Sequence, residues 1–451
     1  MGQQIESLAK FVAETRWEDI PAPVQRHTKL VLLDTIGVIL AGSVRPEVVE
    51  VRDRMAATAG TGATVYARGW PVHDPRTAAL LNGIAGRAIE LCEGLRLVTG
   101  QAAMQILPGI LSVGEHARAG GKELMAALAL GYDVAARLGM GFTPRPLAHQ
   151  NGQAMLLAAA AAGARMRGLD AAGVSRAMRI SAVLMMTPSY MNTGAGATAL
   201  NVAGGMSGFA GALAPDLALA GIEAQNNAIE EALSQLVGDG FKPDNLLDEL
   251  GTRWEITRNY FRLYACCNPI HPALDVLKAA LAELKPRAED ITRIEFTTYR
   301  FASVMRGANP PNYFASKYSL PHVAAVMAVR GRAQHADVDD SALLDPAIAA
   351  LRQRVSVVED PAMSALAPRL RPARVTVTLK DGRTATHACE SHEGDFNQPY
   401  AEAVLRGKFR ELAGHVLAPA GVAQVEHAID RCEEWVSIAD FTALLRKQNT
   451  V

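Results

Sequence analysis

The sequence has 451 residues with 45 basic and 46 acidic side chains, which give a formal net charge of −1 at pH 7. A balance this close to neutral supplies no positive field for nucleic acid or an anionic membrane surface, so we expect neither partner. The length favours two or three domains, and a composition that is 49% hydrophobic and 20% charged is typical of packed helices.

The cysteine count and the apolar runs bear on the compartment. Five cysteines, an odd number, follow no charged and then apolar leader, so we expect a reduced, cytoplasmic protein. The adjacent pair Cys266 and Cys267 suggests a metal or redox site, but metal ligands prefer wider spacing, which favours buried thiols instead. No continuous apolar run reaches the roughly 20 residues that span a bilayer, so we expect no membrane helix.

Helical patterns dominate the chain up to about residue 245. An amphipathic helix with Ile5, Leu8, Phe11 and Val12 on one face opens the sequence. Seven further helices are predicted from apolar periodicity and boundary residues: Val24 to Ala41, Arg76 to Glu90, Pro108 to Ala119, Gly121 to Leu138, Ala154 to Arg167, Ala171 to Leu184 and Ala197 to Ala214.

The pattern changes after Pro272. Strands are predicted at 291–300 and 374–379, and the second continues through an Asp-Gly turn into 384–389, which is typical of a hairpin. Between them lie two predicted helices, 320–331 and 346–355, the second with Asp345 as its cap. We therefore predict a mostly α protein, with a large helical domain formed by residues 1–268 and 394–451 and a smaller α+β lid domain formed by 269–393.

No phosphate-binding loop, dinucleotide glycine fingerprint, zinc helix or nucleophile elbow occurs in the sequence. A helix that ends near Glu90 and Glu93, followed by a glycine-bearing loop, is a plausible place for acid and base side chains. The same pattern also fits a helix end whose acids lie in water. The sequence pattern alone leaves both interpretations open.

Seven segments in order resemble the motifs of one family: LLDTIGVILAGS, LNGIAGRAIEL, LPGILSVGEHARAG, AAAAAGARMRGLD, YACCNPIHPALD, SKYSLPHVAAV and GKFRELAG. This is the MmgE/PrpD family, which contains 2-methylcitrate dehydratase, cis-aconitate decarboxylase and iminodisuccinate epimerase. The resemblance covers essentially the whole chain. It implies a helical domain built from both chain ends, an α+β lid, homodimers, and chemistry on a small carboxylated substrate without metal or other cofactor.

The resemblance also implies a set of site residues, several of them changed. Cys92 and Gly94 stand where Asp and Thr are usual, Gln101 and Leu95 stand where histidines are usual, and Ala199 or Leu200 replaces a basic residue. Arg262 replaces a lysine and keeps its charge, and His322 replaces a tyrosine. The segment His149 to Gly152 keeps its histidine, and Lys317 and Tyr318 keep the family pattern.

From these positions we predict His149, His322, Glu90 and Tyr318 as catalytic residues, and Arg262, Lys317, Gln101 and Glu93 as substrate-binding residues. His149 is the expected base, because an unperturbed histidine titrates near neutrality. Arg262 is the expected carboxylate clamp. Other interpretations are that His149 caps a helix, that Arg262 is a surface charge, and that Lys317 and Tyr318 lie on the lid surface.

The expected function is a cofactor-independent lyase, of dehydratase or decarboxylase type, that removes a proton next to a carboxylate. The lost histidine and cation indicate a substrate smaller or less anionic than 2-methylcitrate. One alternative is an epimerase or isomerase that uses His149 and His322 as opposed proton carriers. Another is a family member that no longer catalyses and only binds a ligand or partner.

Overall fold

The computed structural model describes residues 2–66 and 70–446. Helices make up most of this part of the chain and the strands form two small sheets, so the predicted mostly α class is confirmed. The helices of the first half are α1 (Gln3–Glu14), α2 (Ala22–Ser43), α3 (Pro46–Met55), α4 (Pro75–Arg87), α5 (Ala102–Ala117), α6 (Gly121–Gly141), α7 (Ala154–Met166), α8 (Ala171–Ser181), α9 (Asn192–Ala195), α10 (Leu200–Leu219) and α11 (Ala228–Glu231).

Two predicted helix boundaries are wrong in ways that matter for the site. Helix α4 ends at Arg87 rather than Glu90, because Glu90 adopts a left-handed backbone with φ of 50°. Helix α5 begins at Ala102, so Pro108 lies inside it and forfeits one backbone hydrogen bond.

Helix α10 lies across α4, α5 and α7 at the centre of the helical body. Glycines make these crossings close: a Cβ at Gly83 of α4 would come within 2.5 Å of Gly205 Cα, and one at Gly163 of α7 would come within 1.9 Å of Gly211 O. Neither distance is possible between non-bonded atoms. The backbones therefore meet with no room for a side chain, which explains why the apolar helices of this body are so rich in glycine.

Two helices are long and apolar enough to span a membrane, contrary to the expectation from the sequence. Helices α6 and α10 meet that test by length and composition, each with a mean hydropathy of 1.2 over its best window. In the structure, 89% of the α6 window and 61% of the α10 window are buried inside the protein. Their apolar residues are thus largely used for packing in the helical body, which an apolar count along the sequence does not reveal.

The second half of the chain contains a four-stranded sheet, in which the spatial order of the strands differs from their order along the chain: β4 (Val355–Glu359), β3 (Ile291–Thr298), β5 (Ala373–Leu379) and β6 (Thr384–Cys389) lie side by side in that sequence. A two-stranded ribbon of β1 (Phe142–Pro144) and β2 (Gly238–Phe241) precedes it. The predicted hairpin is β5-β6. Strand β4, which pairs parallel to β3, was not predicted; the predicted helix 346–355 ran into its first residue, Val355.

The remaining helices connect and cover the sheet or follow it. They are α12 (His271–Leu284), α13 (Arg300–Ser303), α14 (Tyr313–Ser316), α15 (Leu320–Arg330), α16 (Asp340–Leu344), α17 (Pro346–Arg352), α18 (Pro361–Ser364), α19 (Glu402–Ala413), α20 (Pro419–Asp430) and α21 (Ile438–Arg446). The predicted Asp345 cap accepts hydrogen bonds from the N–H groups of Ala347 and Ile348, 2.9 and 3.3 Å away.

The C-terminal segment returns to the first helices. Helix α19 packs on α2, and the buried Lys408 Nζ lies 2.6 Å from Asp34 Oδ1 and donates to Leu91 O at 2.9 Å. Removing one partner of a buried ion pair is strongly destabilising, because it leaves the other charge buried and unpaired. This pair therefore fixes the position of α19. The domain division at residues 268 and 394 and the homodimer remain predictions.

The close crossing of α7 and α10 leads to a stability prediction. Gly163→Ala should lower the free energy of unfolding by about 1 to 3 kcal/mol, because the new methyl group displaces the Gly211 carbonyl and separates the helices. Gly407→Ala in α19 is the matched control, since a Cβ there meets nothing within 4 Å. It should stabilise the protein by about 0.5 to 1 kcal/mol. Urea unfolding measures both; equal effects would contradict the packing described.

Candidate active site

Glu90 lies where the end of α4 meets the second half of the chain. The helix ends at Arg87, and the left-handed backbone of Glu90 turns its side chain back toward that arginine. Such a conformation costs about 1 to 3 kcal/mol for a residue other than glycine, so the contacts around Glu90 must hold it in place. The carboxylate is 2% exposed, so the interpretation of a solvated helix end is wrong.

Three donors converge on this carboxylate. Arg87 Nη2 donates to Oε2 at 2.7 Å, Arg262 Nη1 donates to Oε1 at 2.6 Å, and the Tyr318 hydroxyl donates to Oε2 at 2.9 Å. Burial alone would raise the pKa of Glu90, but the charges of Arg87 and Arg262 and these hydrogen bonds lower it to about 2. Glu90 is therefore ionised at neutral pH and holds the two arginines and the tyrosine together.

A short antiparallel bridge places Arg262 beside Glu90. Gly94 and Tyr260 exchange backbone hydrogen bonds of 3.1 and 2.7 Å, which aligns residues 260–262 with the loop after α4. A Cβ at Gly94 would lie 2.4 Å from the Tyr260 hydroxyl, so only glycine permits this approach. Arg262 is 1% exposed, and it is not the surface charge that the sequence also allowed.

Arg87 connects Glu90 to Gln101. Its Nη1 lies 3.2 Å from Cys92 Sγ and 3.5 Å from Gln101 Oε1. Gln101 precedes α5 and is buried. The structure thus brings together four of the predicted site residues, namely Glu90, Arg262, Tyr318 and Gln101, around an arginine that the sequence analysis did not select.

His149 lies close to this group, in the loop between β1 and α7. Its backbone N–H donates to Pro188 O at 2.8 Å, and its ring stacks on Tyr190 with centroids 4.8 Å apart. Burial, followed by the charge of Arg87, lowers its pKa to about 3. The ring nitrogen Nδ1 accepts the backbone N–H of Asn151 at 3.2 Å, so the neutral ring carries its proton on Nε2.

Lys317 and His322 are engaged elsewhere. Lys317 Nζ donates to Val338 O and lies 4.1 Å from the centre of the Tyr313 ring, and burial lowers its pKa to about 7. The His322 ring lies 3.4 Å from Arg352 Nη1, and burial followed by that charge lowers its pKa to about 4. Both side chains are buried, so Lys317 is no lid-surface residue, but neither contacts Glu90.

Glu93 lies behind the site. Its carboxyl accepts hydrogen bonds from the Ala103 N–H at 2.9 Å and from the Tyr132 hydroxyl. Burial raises the pKa of Glu93 to about 7, with the two hydrogen bonds acting against that rise. Both protein partners belong to the helical body, and the carboxyl is fully enclosed.

Sequence analysis missed several residues of this region. The i, i+3 spacing of Arg87 and Glu90 at a helix end could have revealed that pair. No local pattern points to Arg371, which lies far along the chain and contacts Asn268. Tyr190 was missed for the same reason, because only the bridge between Ala148 and Ser189 brings it to His149.

The region is closed to solvent in this structure: Glu90, Arg262, Tyr318 and His149 are each 6% exposed or less. A surface cavity of about 470 Å³ lies between α19 and α20 and is lined by other residues, Arg410 and Glu426 among them. Among residues 2–66 and 70–446, no group of three or more His, Cys, Asp or Glu side chains is placed to hold a metal ion.

Family models decide the relationship. The model described as the MmgE/PrpD N-terminal domain matches residues 6–242, and the model described as the MmgE/PrpD C-terminal domain matches residues 264–434. The chain belongs to the MmgE/PrpD family. The gap between the two matched MmgE/PrpD regions contains Tyr260 and Arg262, the segment that bridges to the loop after Glu90.

Characterised MmgE/PrpD relatives match along nearly their whole length. A cis-aconitate decarboxylase-like protein of Aspergillus oryzae is 22% identical, over 98% of this chain and 97% of its own. The cis-aconitate decarboxylase of Aspergillus terreus is 23% identical, over 96% and 93%, and that of Mus musculus is 21% identical, over 98% and 93%. These relatives support a lyase-type function.

Glu90 should make the folding stability of this MmgE/PrpD protein sensitive to acid. Its folded pKa of about 2 lies below the ordinary value of 4.5, so its contribution is complete above about pH 4.5 and is lost as the pH falls toward about 2. The stability advantage of wild type over Glu90→Gln should shrink by about 2 kcal/mol between pH 5 and about pH 3, at 1.36 kcal/mol per pKa unit.

Urea unfolding at several pH values measures this difference. The exposed Glu14, whose carboxylate lies 3.9 Å from Lys10, offers a matched control in Glu14→Gln. The control should follow wild type within a few tenths of a kcal/mol. A stability difference between wild type and Glu90→Gln that stays constant over this pH range would rule out the strongly ionised carboxylate.

Proposed function

We propose that this protein is a lyase that removes carbon dioxide from a small organic acid, in the enclosed region where Arg262, Glu90 and Tyr318 lie near His149. Family membership and relatives named cis-aconitate decarboxylase support the lyase class. The observation that carries the finer proposal is a cluster of buried cations and proton donors around Glu90, a carboxylate that is held by three donors and is too weakly basic to remove a proton. Loss of carbon dioxide needs a group that holds a carboxylate and a proton donor, but no base.

Arg262 is suited to hold a substrate carboxylate. Its hydrogen bonds to Glu90 and Cys266 O all leave from Nη1, and its buried Nε has no partner among the described residues. An unpaired buried N–H is costly, and a carboxylate would satisfy it. Glu90 fixes the orientation of the guanidinium, so the clamp is preorganised before the substrate arrives.

His149 takes a different role from the base expected from the sequence. With Nδ1 occupied by the Asn151 N–H and the proton on Nε2, the neutral ring offers a donor rather than a lone pair. A pKa of about 3 keeps it neutral through the physiological range. A neutral imidazole that donates from Nε2 can stabilise negative charge that develops on the substrate.

Tyr318 is the proposed proton donor. In the reaction, the bond between the departing carboxylate and its carbon breaks, the electron pair remains on that carbon, and carbon dioxide leaves. A proton from the Tyr318 hydroxyl then forms the new C–H bond. Burial and the neighbouring Glu90 raise the pKa of Tyr318, with Arg87 acting against that rise, so the hydroxyl keeps its proton until the much more basic carbanion forms beside it.

The alternative functions require different chemical groups at the site. A dehydratase must remove a proton, and Glu90, with three donors and a pKa of about 2, is a poor acceptor. An epimerase with two proton carriers was expected to use His322, which lies against Arg352 instead. A protein that binds without catalysis would keep the clamp, and it would show a ligand-dependent rise in Tm with no turnover.

The experiment is turnover of cis-aconitate, and of related unsaturated acids, in heavy water. We expect one carbon dioxide and one incorporated deuteron per turnover, with the deuteron at the carbon that lost carbon dioxide or at the far end of the adjacent double bond. Loss or gain of water without carbon dioxide would replace the decarboxylase proposal with a dehydratase. Deuterium exchange with no net product would indicate an epimerase.

Tyr318→Phe should lower kcat by about 10²- to 10³-fold, because it removes the proton donor but keeps the ring. Tyr313→Phe is the matched control: Tyr313 is also buried, five positions earlier, and its hydroxyl has no partner among the described residues. The control should keep near wild-type kcat. Equal rates for Tyr318→Phe and wild type on a verified substrate would remove Tyr318 from the mechanism.

A further inference from the structure

Arg371 is a buried cation held by neutral groups. It lies just before β5 and is 2% exposed. Its Nη1 donates to the side-chain oxygen of Asn268, and its Nη2 donates to Arg96 O at 3.0 Å. Among the described residues, no carboxylate forms an ion pair with it.

Two other buried arginines of this protein have carboxylate partners. Arg137 pairs with Asp133, and Arg165 pairs with Glu123 at 2.8 Å, although both also donate to backbone carbonyls. A buried charge without a counter-charge is strongly disfavoured unless something else supplies it. The environment of Arg371 therefore requires an explanation that packing does not give.

Arg371 lies at the candidate site. Its partner Asn268 has Nδ2 2.8 Å from His392 Nε2, and the His392 ring lies against the Tyr260 ring with centroids 5.7 Å apart. The Arg262 guanidinium lies 5.6 Å from the centre of the same Tyr260 ring. Arg371 is therefore connected to the Arg262 clamp through buried neutral side chains, from the side of the sheet.

The charges of this region do not balance. Arg87 and Arg262 share Glu90, and Arg96 pairs with Asp395 at 3.0 Å, so four guanidinium groups including Arg371 face two carboxylates. The neighbouring His392 adds no positive charge, because burial lowers its pKa well below the ordinary value. Glu93, another enclosed acid of this region, has its pKa raised to about 7 by burial and is only partly ionised at neutral pH, so the buried excess lies between one and two positive charges, which an anionic substrate would offset.

We propose that Arg371 is a specificity-determining residue that binds a second carboxylate of the substrate, so that Arg262 and Arg371 together select dicarboxylates over monocarboxylates. This inference rests on the proposed function for the Arg262 clamp and adds the residue that holds a second carboxylate. Asn268 acts as a positioning residue: its side-chain oxygen holds Arg371, and its Nδ2 lies 2.8 Å from His392 Nε2. A dicarboxylate would therefore be held at two points, and a monocarboxylate at only one.

Binding of unreactive probes tests this inference without turnover. Succinate and butyrate have the same carbon chain length and differ by one carboxylate, and calorimetry at matched ionic strength gives both affinities. Wild type should bind succinate more tightly than butyrate. Arg371→Gln should weaken succinate binding by about 10- to 100-fold and leave butyrate unchanged, as expected for loss of one charge-assisted contact.

Arg165→Gln is the matched control, because it also removes a buried guanidinium that donates to a backbone carbonyl, far from Glu90. It should keep the succinate preference. A purely structural role of Arg371 predicts instead that Arg371→Gln lowers Tm and leaves the preference intact. If wild type shows no preference for succinate, or if Arg371→Gln retains it, the inference is overturned.

Should Arg371→Gln fail to fold, Arg371→Lys serves the same purpose, because lysine keeps the positive charge but cannot make a bidentate contact with a carboxylate. It should bind succinate more weakly than wild type does; wild-type affinity would contradict the proposal. The outcomes also separate the two proposals. An Arg371-dependent succinate preference without decarboxylation refutes the lyase mechanism alone, and decarboxylation without that preference refutes the second carboxylate site alone.

Discussion

The carboxylate of Glu90 is the contact on which the candidate site depends. It accepts from Arg87 at the end of α4, from Arg262 in the segment bridged to the following loop, and from Tyr318 after α14. These donors come from parts of the chain up to 228 residues away from Glu90. One buried anion therefore orients two guanidinium groups and a phenol, at the expense of a left-handed backbone at its own position.

That arrangement also explains why the site is cationic. Arg87 and Arg262 share the single charge of Glu90, Asp395 pairs with Arg96, and Arg371 has no carboxylate partner among the described residues. Buried cations in excess of buried anions favour an anionic ligand, which agrees with the organic acids named for the relatives. In this account the protein's electrostatics select the substrate, and the neutral His149 and Tyr318 supply the hydrogen-bond donors.

The sequence predicted most of the fold, because apolar periodicity and Asp-Gly turn chemistry are local signals. It failed where local signals conflict with tertiary contacts: β4 was not predicted, and α4 was extended through Glu90. For the site, the resemblance selected Glu90, Arg262, Tyr318 and His149, which the structure brings close together. Lys317 and His322 follow the same motif but point to other partners, because neighbouring residues of a helical turn face different ways. No local sequence pattern indicated Arg371 as a site residue.

The most direct test of the cationic frame is a crystal structure of the protein with tricarballylate, a saturated and unreactive tricarboxylate. The account predicts one carboxylate within about 3 Å of Arg262 Nε and a second at a similar distance from the Arg371 guanidinium, with Glu90 still paired to Arg87. Tricarballylate bound only in the surface cavity between α19 and α20, or a structure in which Arg262 and Arg371 make no contact with it, would contradict the account.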